Sequence, residues 1–328
     1  MCMSFEEILG QDNVIKRLKK SIKDKSIFHA YIFEGPEGVG KKISAFHFAK
    51  AMFCTSGTGD SCEACSSCRK MNHGNYSDYY IIAPEDKNIL DAQLEEIQKI
   101  IAKKPIEGKG AVIMIDKAES MTVRAQNRIL KTLEDPIGDT VFILITDNAS
   151  SLLDTIQSRC ITIKFKNIDK KIIKKYLIKE YDLEEQKAAM IAAFSAGSIG
   201  KSKKLYESEE FLNFRESGIN LAQRLGNLEE RDYDDVLKIF EESKGSFIEL
   251  ADILEYWYRD IAIIKLNGDK EIITNIDYLS DIIRKSNAIE LKKCIQIIEL
   301  LEQAKRDYKM NINYNLLIKN MMIKIQEV

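Results

Sequence analysis

Residues 35–41 read Gly35-Pro36-Glu37-Gly38-Val39-Gly40-Lys41 and fit the pattern G-x-x-x-x-G-K. Glycines at this spacing let successive backbone N–H groups converge on phosphate oxygens, and a helix that opens at the lysine adds partial positive charge. Lys41 would then reach the outer phosphates. The next position normally supplies a hydroxyl to Mg²⁺; here it is Lys42. An ammonium has donors and no lone pair, so it cannot ligate a cation. The apolar run "AVIMID" ends in Asp116, the acid expected on the metal side. After it, where related ATPases place the glutamate that polarises attacking water, stands Lys117. Glu119 is two residues further on and is expected to point elsewhere. Two arrangements of Lys42 follow. It sits where Mg²⁺ would and pairs with Asp116, or it points to solvent, as long charged side chains readily do.

A second group of residues could hold a metal. "FCTSGTGDSCEACSSCRK" places Cys54, Cys62, Cys65 and Cys68 as C-x7-C-x2-C-x2-C. Two-residue gaps let a tight turn set successive sulfurs around one ion, and four thiols so close suggest tetrahedral zinc. Four protein thiolates leave no open position for chemistry, so the site reads as structural. An iron–sulfur cluster is the main rival, and disulfides come last in a reducing compartment. Cys2, Cys160 and Cys294 are scattered and read as packing residues. His29, His47 and His73 form no metal pattern, and His73 could at most substitute as a ligand.

The elements that must position these residues alternate in type. "AYIF" (30–33), "YYIIA" (79–83), "AVIMID" (111–116), "TVFILIT" (140–146) and "CITIKF" (160–165) read as strands buried on both faces, with helices over 41–54, 89–103 and 123–135. Strands alternating with helices imply a mainly parallel sheet covered on both sides. Residues 167–208 are helical and broken at "AGSIG" (196–200). Residues 209–328 read as long amphipathic helices, and all 4 prolines precede residue 137. The composition is that of a globular protein, 45% hydrophobic and 30% charged. A net charge of −2 argues against a protein that simply coats nucleic acid. No apolar run approaches the roughly 18–20 residues of a membrane span. The first residues, "MCMSFEEILGQDN", lack the pattern of a signal peptide, so a cytoplasmic location is expected.

In chain order, "FEEILGQDNVIKRLKKSI", "HAYIFEGPEGVGKK", the four-cysteine insert, "NRILKTLEDP" and "LLDTIQSRC" together resemble the clamp-loader subunits of bacterial DNA polymerase III, a family of AAA+ proteins. The resemblance is specific through residue 165 and covers the rest by length and helical character. It implies an α/β AAA+ (P-loop NTPase-like) domain with a parallel sheet over residues 1–166, with a zinc-binding insert at 54–68. A small helical lid domain over 167–208 and an all-α collar domain over 209–328 would follow. It also implies a hetero-pentamer with tau/gamma and delta subunits, which uses ATP to open the sliding clamp and place it on primed DNA.

The same resemblance assigns roles to residues. Ser158-Arg159-Cys160 matches the family's "SRC" motif, whose arginine acts in trans on the γ-phosphate held by a neighbouring subunit. An always-charged planar guanidinium suits that task, and such fingers are worth on the order of 10³–10⁵ in rate. Thr146 matches the sensor of the γ-phosphate, although "TDNASSLLDTI" lacks the usual proline and has Asp154 before Thr155. Ile8, Leu9 and Gly10 match the segment beside the adenine. Gly197-Ser198-Ile199-Gly200 stands where motor subunits carry G-S-x-R, so the second sensor arginine is missing. The expected profile is a subunit that completes a neighbour's site without running its own. Its glycines and Lys41 could still hold ATP without metal. An active AAA+ ATPase of the tau/gamma type would instead show Mg²⁺-dependent turnover alone. A free-standing zinc-dependent nucleic-acid binder would bind DNA alone in a salt-sensitive way.

Overall fold

The computed structural model describes residues 4–107, 110–136, 138–226, 232–269, 272–310 and 312–327; Cys2 lies outside them. By their internal contacts they form two compact units. The first runs to Ile173 and takes in Ala196–Lys201; the second comprises Lys174–Ser195 and the chain from Ser202 onward.

The first unit alternates as the sequence predicts: α1 (Asp12–Lys23), β1 (Ala30–Glu34), α2 (Lys41–Phe53), α3 (Ser66–Asn72), β2 (Tyr79–Ile82), α4 (Asp91–Ile101), β3 (Val112–Ile115), α5 (Val123–Glu134), β4 (Val141–Thr146), α6 (Asp154–Gln157) and β5 (Ile161–Lys164). The five strands are all parallel, in the order β2-β3-β4-β1-β5. Strand alternation splits the apolar residues between two faces. Tyr31, Phe33, Val112, Met114, Ile143 and Ile145 face a core shared with Leu18 of α1 and Phe48 of α2. Ala30, Ile32, Ile113, Ile115, Phe142 and Leu144 face a second core with Leu94 of α4 and Ile129 of α5. The expectation that all five strands are buried on both faces holds for β3 and β4 and nearly all of β1. It fails for β2 and β5, where Ile81 and Lys164 are exposed, because these are the two edges and have a neighbour on one side only.

This order puts a topological switch point at the carboxyl end of β1. The chain leaving β1 travels toward the β2 edge, whereas the chain leaving β4 passes over β1 to reach β5. Such a divergence is where parallel sheets open a ligand crevice.

The chain continues as α7 (Lys170–Tyr181), α8 (Glu185–Phe194), α9 (Ile199–Glu207), α10 (Glu209–Leu225), α11 (Tyr233–Glu242), α12 (Phe247–Lys265), α13 (Leu279–Ala288), α14 (Leu291–Lys309) and α15 (Tyr314–Glu327). Among the described residues no strand follows Lys164. The break expected at "AGSIG" is present: Ala196 and Gly197 both have positive φ between α8 and α9. In the second unit α12 is the central helix, with Phe247, Leu250, Leu254, Trp257, Tyr258 and Ile261 all buried. Gly218 of α10 lets that helix approach closely, since a Cβ there would lie 2.9 Å from Ile253. One buried polar network ties the segment before α13 to these helices. Asp260, fully buried on α12, accepts the amides of Thr274 and Asn275 and the Asn275 side chain. Arg215 of α10 donates to Asn275 and to both oxygens of Asp277.

Removing one member of a buried network strands the others without partners. Asp260→Ala is expected to destabilise this unit by about 3 kcal/mol. Chemical denaturation followed by the fluorescence of Trp257, the single tryptophan, checks this within the same unit.

Candidate nucleotide site and cysteine cluster

The glycine loop joins β1 to α2. Gly35, Gly38 and Gly40 all have positive φ, at 152°, 76° and 100°. Two of them are also confined by neighbours. A Cβ on Gly35 would lie 2.5 Å from the Phe165 carbonyl oxygen, and one on Gly38 would lie 2.2 Å from Ser198 Oγ. The Gly35 amide donates to the Thr146 carbonyl (3.2 Å), which fixes the loop to the end of β4. Gly200 donates its amide to the Gly38 carbonyl at 3.0 Å. Ile8 is buried beside Gly40, and Gln11 bonds the backbone of Lys166 and Val39.

Lys41 is only 6% exposed. Its ammonium donates to the carbonyls of Gly35 and Pro36 and pairs with Asp147 Oδ1 at 2.6 Å. Lys42 pairs with Asp116 Oδ2 at 2.8 Å, the pairing arrangement of the two considered, while its side chain stays 58% exposed. Lys117 is exposed in a left-handed conformation and opens the turn after β3. Thr146 is buried, and its hydroxyl is engaged in its own turn, donating to the Asn148 carbonyl and accepting the Asn148 amide. The fold thus gathers Gly35, Gly38, Gly40, Lys41, Lys42, Asp116 and Thr146 at the carboxyl ends of β1, β3 and β4. It adds Asp147, which no motif marks except its place after Thr146.

Arg159 lies in the turn between α6 and β5 and makes different contacts. Its guanidinium pairs with Glu134 Oε1 at the end of α5 (2.6 Å) and donates to the Thr155 carbonyl (2.8 Å). Glu134 is contained in "NRILKTLEDP", but only the fold brings it to the arginine.

The four cysteines converge. Their sulfurs all lie within 4.8 Å of one another, and they are the one such metal-capable group among the described residues. A tetrahedral zinc with Zn–S near 2.3 Å needs sulfurs about 3.8 Å apart, so the donor set fits. None of them is in a disulfide. Backbone amides point at the sulfurs: Cys62 at Cys54 Sγ (3.3 Å), Cys65 at Cys62 Sγ and Cys68 at Cys65 Sγ (both 3.4 Å). The thiols divide in protonation. Burial drives Cys68 up to about 12. For Cys65, burial also raises the pKa but is outweighed by hydrogen bonds from Thr55 and Cys68, leaving it at about 6. A cation bound among the four sulfurs would favour the thiolate form of each. His73 stays outside, bonded to the Arg69 carbonyl. Cys160 packs against the second core, and Cys294 is buried in α14; burial raises their thiols to about 12 and about 11.

Two features of this cluster have no sequence motif. Cys65 caps a short helix, α3, that carries Cys68, where the spacing had suggested only a turn. Glu63, between two cysteines, holds Lys50 of α2 through both carboxylate oxygens (2.6 and 2.7 Å).

Comparison with known proteins agrees with this architecture. The family described as "DNA polymerase III, delta subunit" matches residues 10–169, and "DNA polymerase III, delta subunit, C terminal" matches 213–327. The chain is 31% identical to DNA polymerase III subunit delta' of Bacillus subtilis (strain 168) over 332 aligned positions, covering 100% of both chains. The chain belongs to the DNA polymerase III delta-prime clamp-loader family. Other relatives include subunit delta' of Pseudomonas aeruginosa, 37% identical over 40% of this chain and 42% of that one. Subunit tau of Bacillus subtilis is 25% identical over 98% of this chain and 61% of its own length. A parallel α/β sheet followed by an all-α region is the family's AAA+ arrangement. No described helix is long and apolar enough to cross a membrane.

If the cluster holds a structural metal, Cys68→Ser should abolish metal retention through purification. Stripping the wild-type chain with a chelator should lower its melting temperature and raise hydrogen exchange across 54–72. Metal content measured beside calorimetry checks both, and a melting temperature indifferent to the metal would contradict the structural role.

Proposed function

We propose that the chain is a delta-prime-like clamp-loader subunit that does not hydrolyse ATP and lends Arg159 to the active site of a neighbouring motor subunit. The observation that carries this reading is the Lys42–Asp116 pair at 2.8 Å. A fixed ammonium lies against the acid that would hold Mg²⁺, and like charges exclude the metal. Lys117 supplies no base to activate water, and Gly200 supplies no sensor guanidinium. The Arg159 guanidinium lies in a half-exposed turn after α6, where a partner's phosphate could reach it. A guanidinium displaced from Glu134 onto a γ-phosphate would stabilise charge developing in transfer.

In this reading residues 1–166 are the AAA+ domain, 167–208 its lid and 209–328 the collar. The chain works in a hetero-pentamer with tau/gamma and delta subunits that loads the sliding clamp onto primed DNA in the cytoplasm. Zinc is the metal assigned to the four cysteines, because all-thiolate tetrahedral sites without redox chemistry favour it. The intact G-x-x-x-x-G-K and the likeness to subunit tau favour one second reading, an active motor.

The experiment is ATP turnover with Mg²⁺, for the purified chain alone and mixed with motor subunits, clamp and primed DNA. The chain alone should be silent, and the mixture should lose about tenfold or more of its rate with Arg159→Ala. Turnover by the chain alone that disappears with Lys41→Ala would establish the motor instead.

A further inference from the structure

We propose that Asp147 is an internal substitute for phosphate that keeps nucleoside polyphosphates out of the glycine loop. The loop itself is shaped to receive one, with three positive-φ glycines and a helix start at Lys41. What differs is the occupancy of the lysine. An ammonium has three protons, and here each has an acceptor: two carbonyls of the loop and the Asp147 carboxylate. Lys41 is buried, while its partner Asp147 is 55% exposed. An incoming phosphate must therefore take Lys41 from a carboxylate and accept that carboxylate as a neighbour.

In a working site the nucleotide arrives with Mg²⁺, which offsets acidic groups around the phosphates. Lys42 on Asp116 closes that route, so nothing that comes with a nucleotide neutralises Asp147. The carboxylate is also held in place. Asp147 follows the last residue of β4, and the turn beyond it is closed by the Thr146 hydroxyl and by Asn148, whose side chain accepts from the amide and hydroxyl of Ser150. On the other side the loop is fastened by the Gly200–Gly38 hydrogen bond, so it keeps its shape without ligand.

This inference rests on the phosphate-loop reading of residues 35–41 and is independent of the role of Arg159. Arg159→Ala leaves it untouched, and its failure leaves the finger reading standing. The test is calorimetric titration of the full chain with ATP in EDTA, so that no metal contributes. Asp147→Asn keeps the shape and removes the charge, and Asp147→Ser provides a second variant should the first lose its fold. Each folded variant should bind ATP at least tenfold more tightly than the wild-type chain, and adding Lys41→Ala should abolish the gain. Equal affinities in wild-type and variant chains, whether tight or undetectable, would overturn the proposal, as would a gain that survives Lys41→Ala.

Discussion

Two ammonium groups buried on one helix constrain much of the first unit. Helix α2 is enclosed on nearly every side, and Lys41 and Lys50 are among its buried residues. A buried charge without a partner is far more costly than any single apolar contact is favourable. Each lysine must therefore bring a carboxylate to it. Lys41 draws Asp147 from the end of β4, and Lys50 draws Glu63 from the cysteine loop. His47, buried on the same helix, avoids the problem by staying neutral: burial lowers its pKa, against the pull of Glu7.

The same helix connects the two candidate sites. It begins at the glycine loop and ends at Cys54, the first thiol of the cluster, about 20 Å away for its 13 residues. Folding of the cysteine loop is thus part of enclosing α2, because Glu63 satisfies Lys50 only when the loop closes over it. This gives the cysteine cluster a structural part to play at a distance from the glycine loop. The cluster fixes one end of the helix whose other end shapes the glycine loop.

Charge around the glycine loop is matched in pairs. Each of its two lysines already has an aspartate, Lys41 with Asp147 and Lys42 with Asp116, so the site is neutral with neither metal nor nucleotide. Arg159, by contrast, rests on Glu134 at a half-exposed turn, an arrangement of modest strength that a phosphate can replace. Both lysines and the arginine are thus matched within the chain, the lysines in the glycine-loop region and the arginine at its own turn.

Much of this was legible in the sequence because it depends on local order. The five strands follow from apolar runs of strand length, the three glycines from the conformations a phosphate loop demands, and the cysteine convergence from gaps of two. The loss of the metal hydroxyl was visible at Lys42 alone. Two local misreadings had local causes. Edge strand β2 is an apolar run like a central one, β5 already alternates Ile161 and Ile163 with Thr162 and Lys164, and α3 is a single short helix inside a loop defined by its thiols. Apart from the Lys42–Asp116 pair, which the motif positions offered as one of two arrangements, the partners of these charged groups were not legible. Asp147, Glu63 and Glu134 are ordinary acids in sequence, among 51. The tertiary structure alone chose them, because a buried or half-buried cation is matched by whichever carboxylate the packing brings within a few ångströms, and that distance is unrelated to separation along the chain.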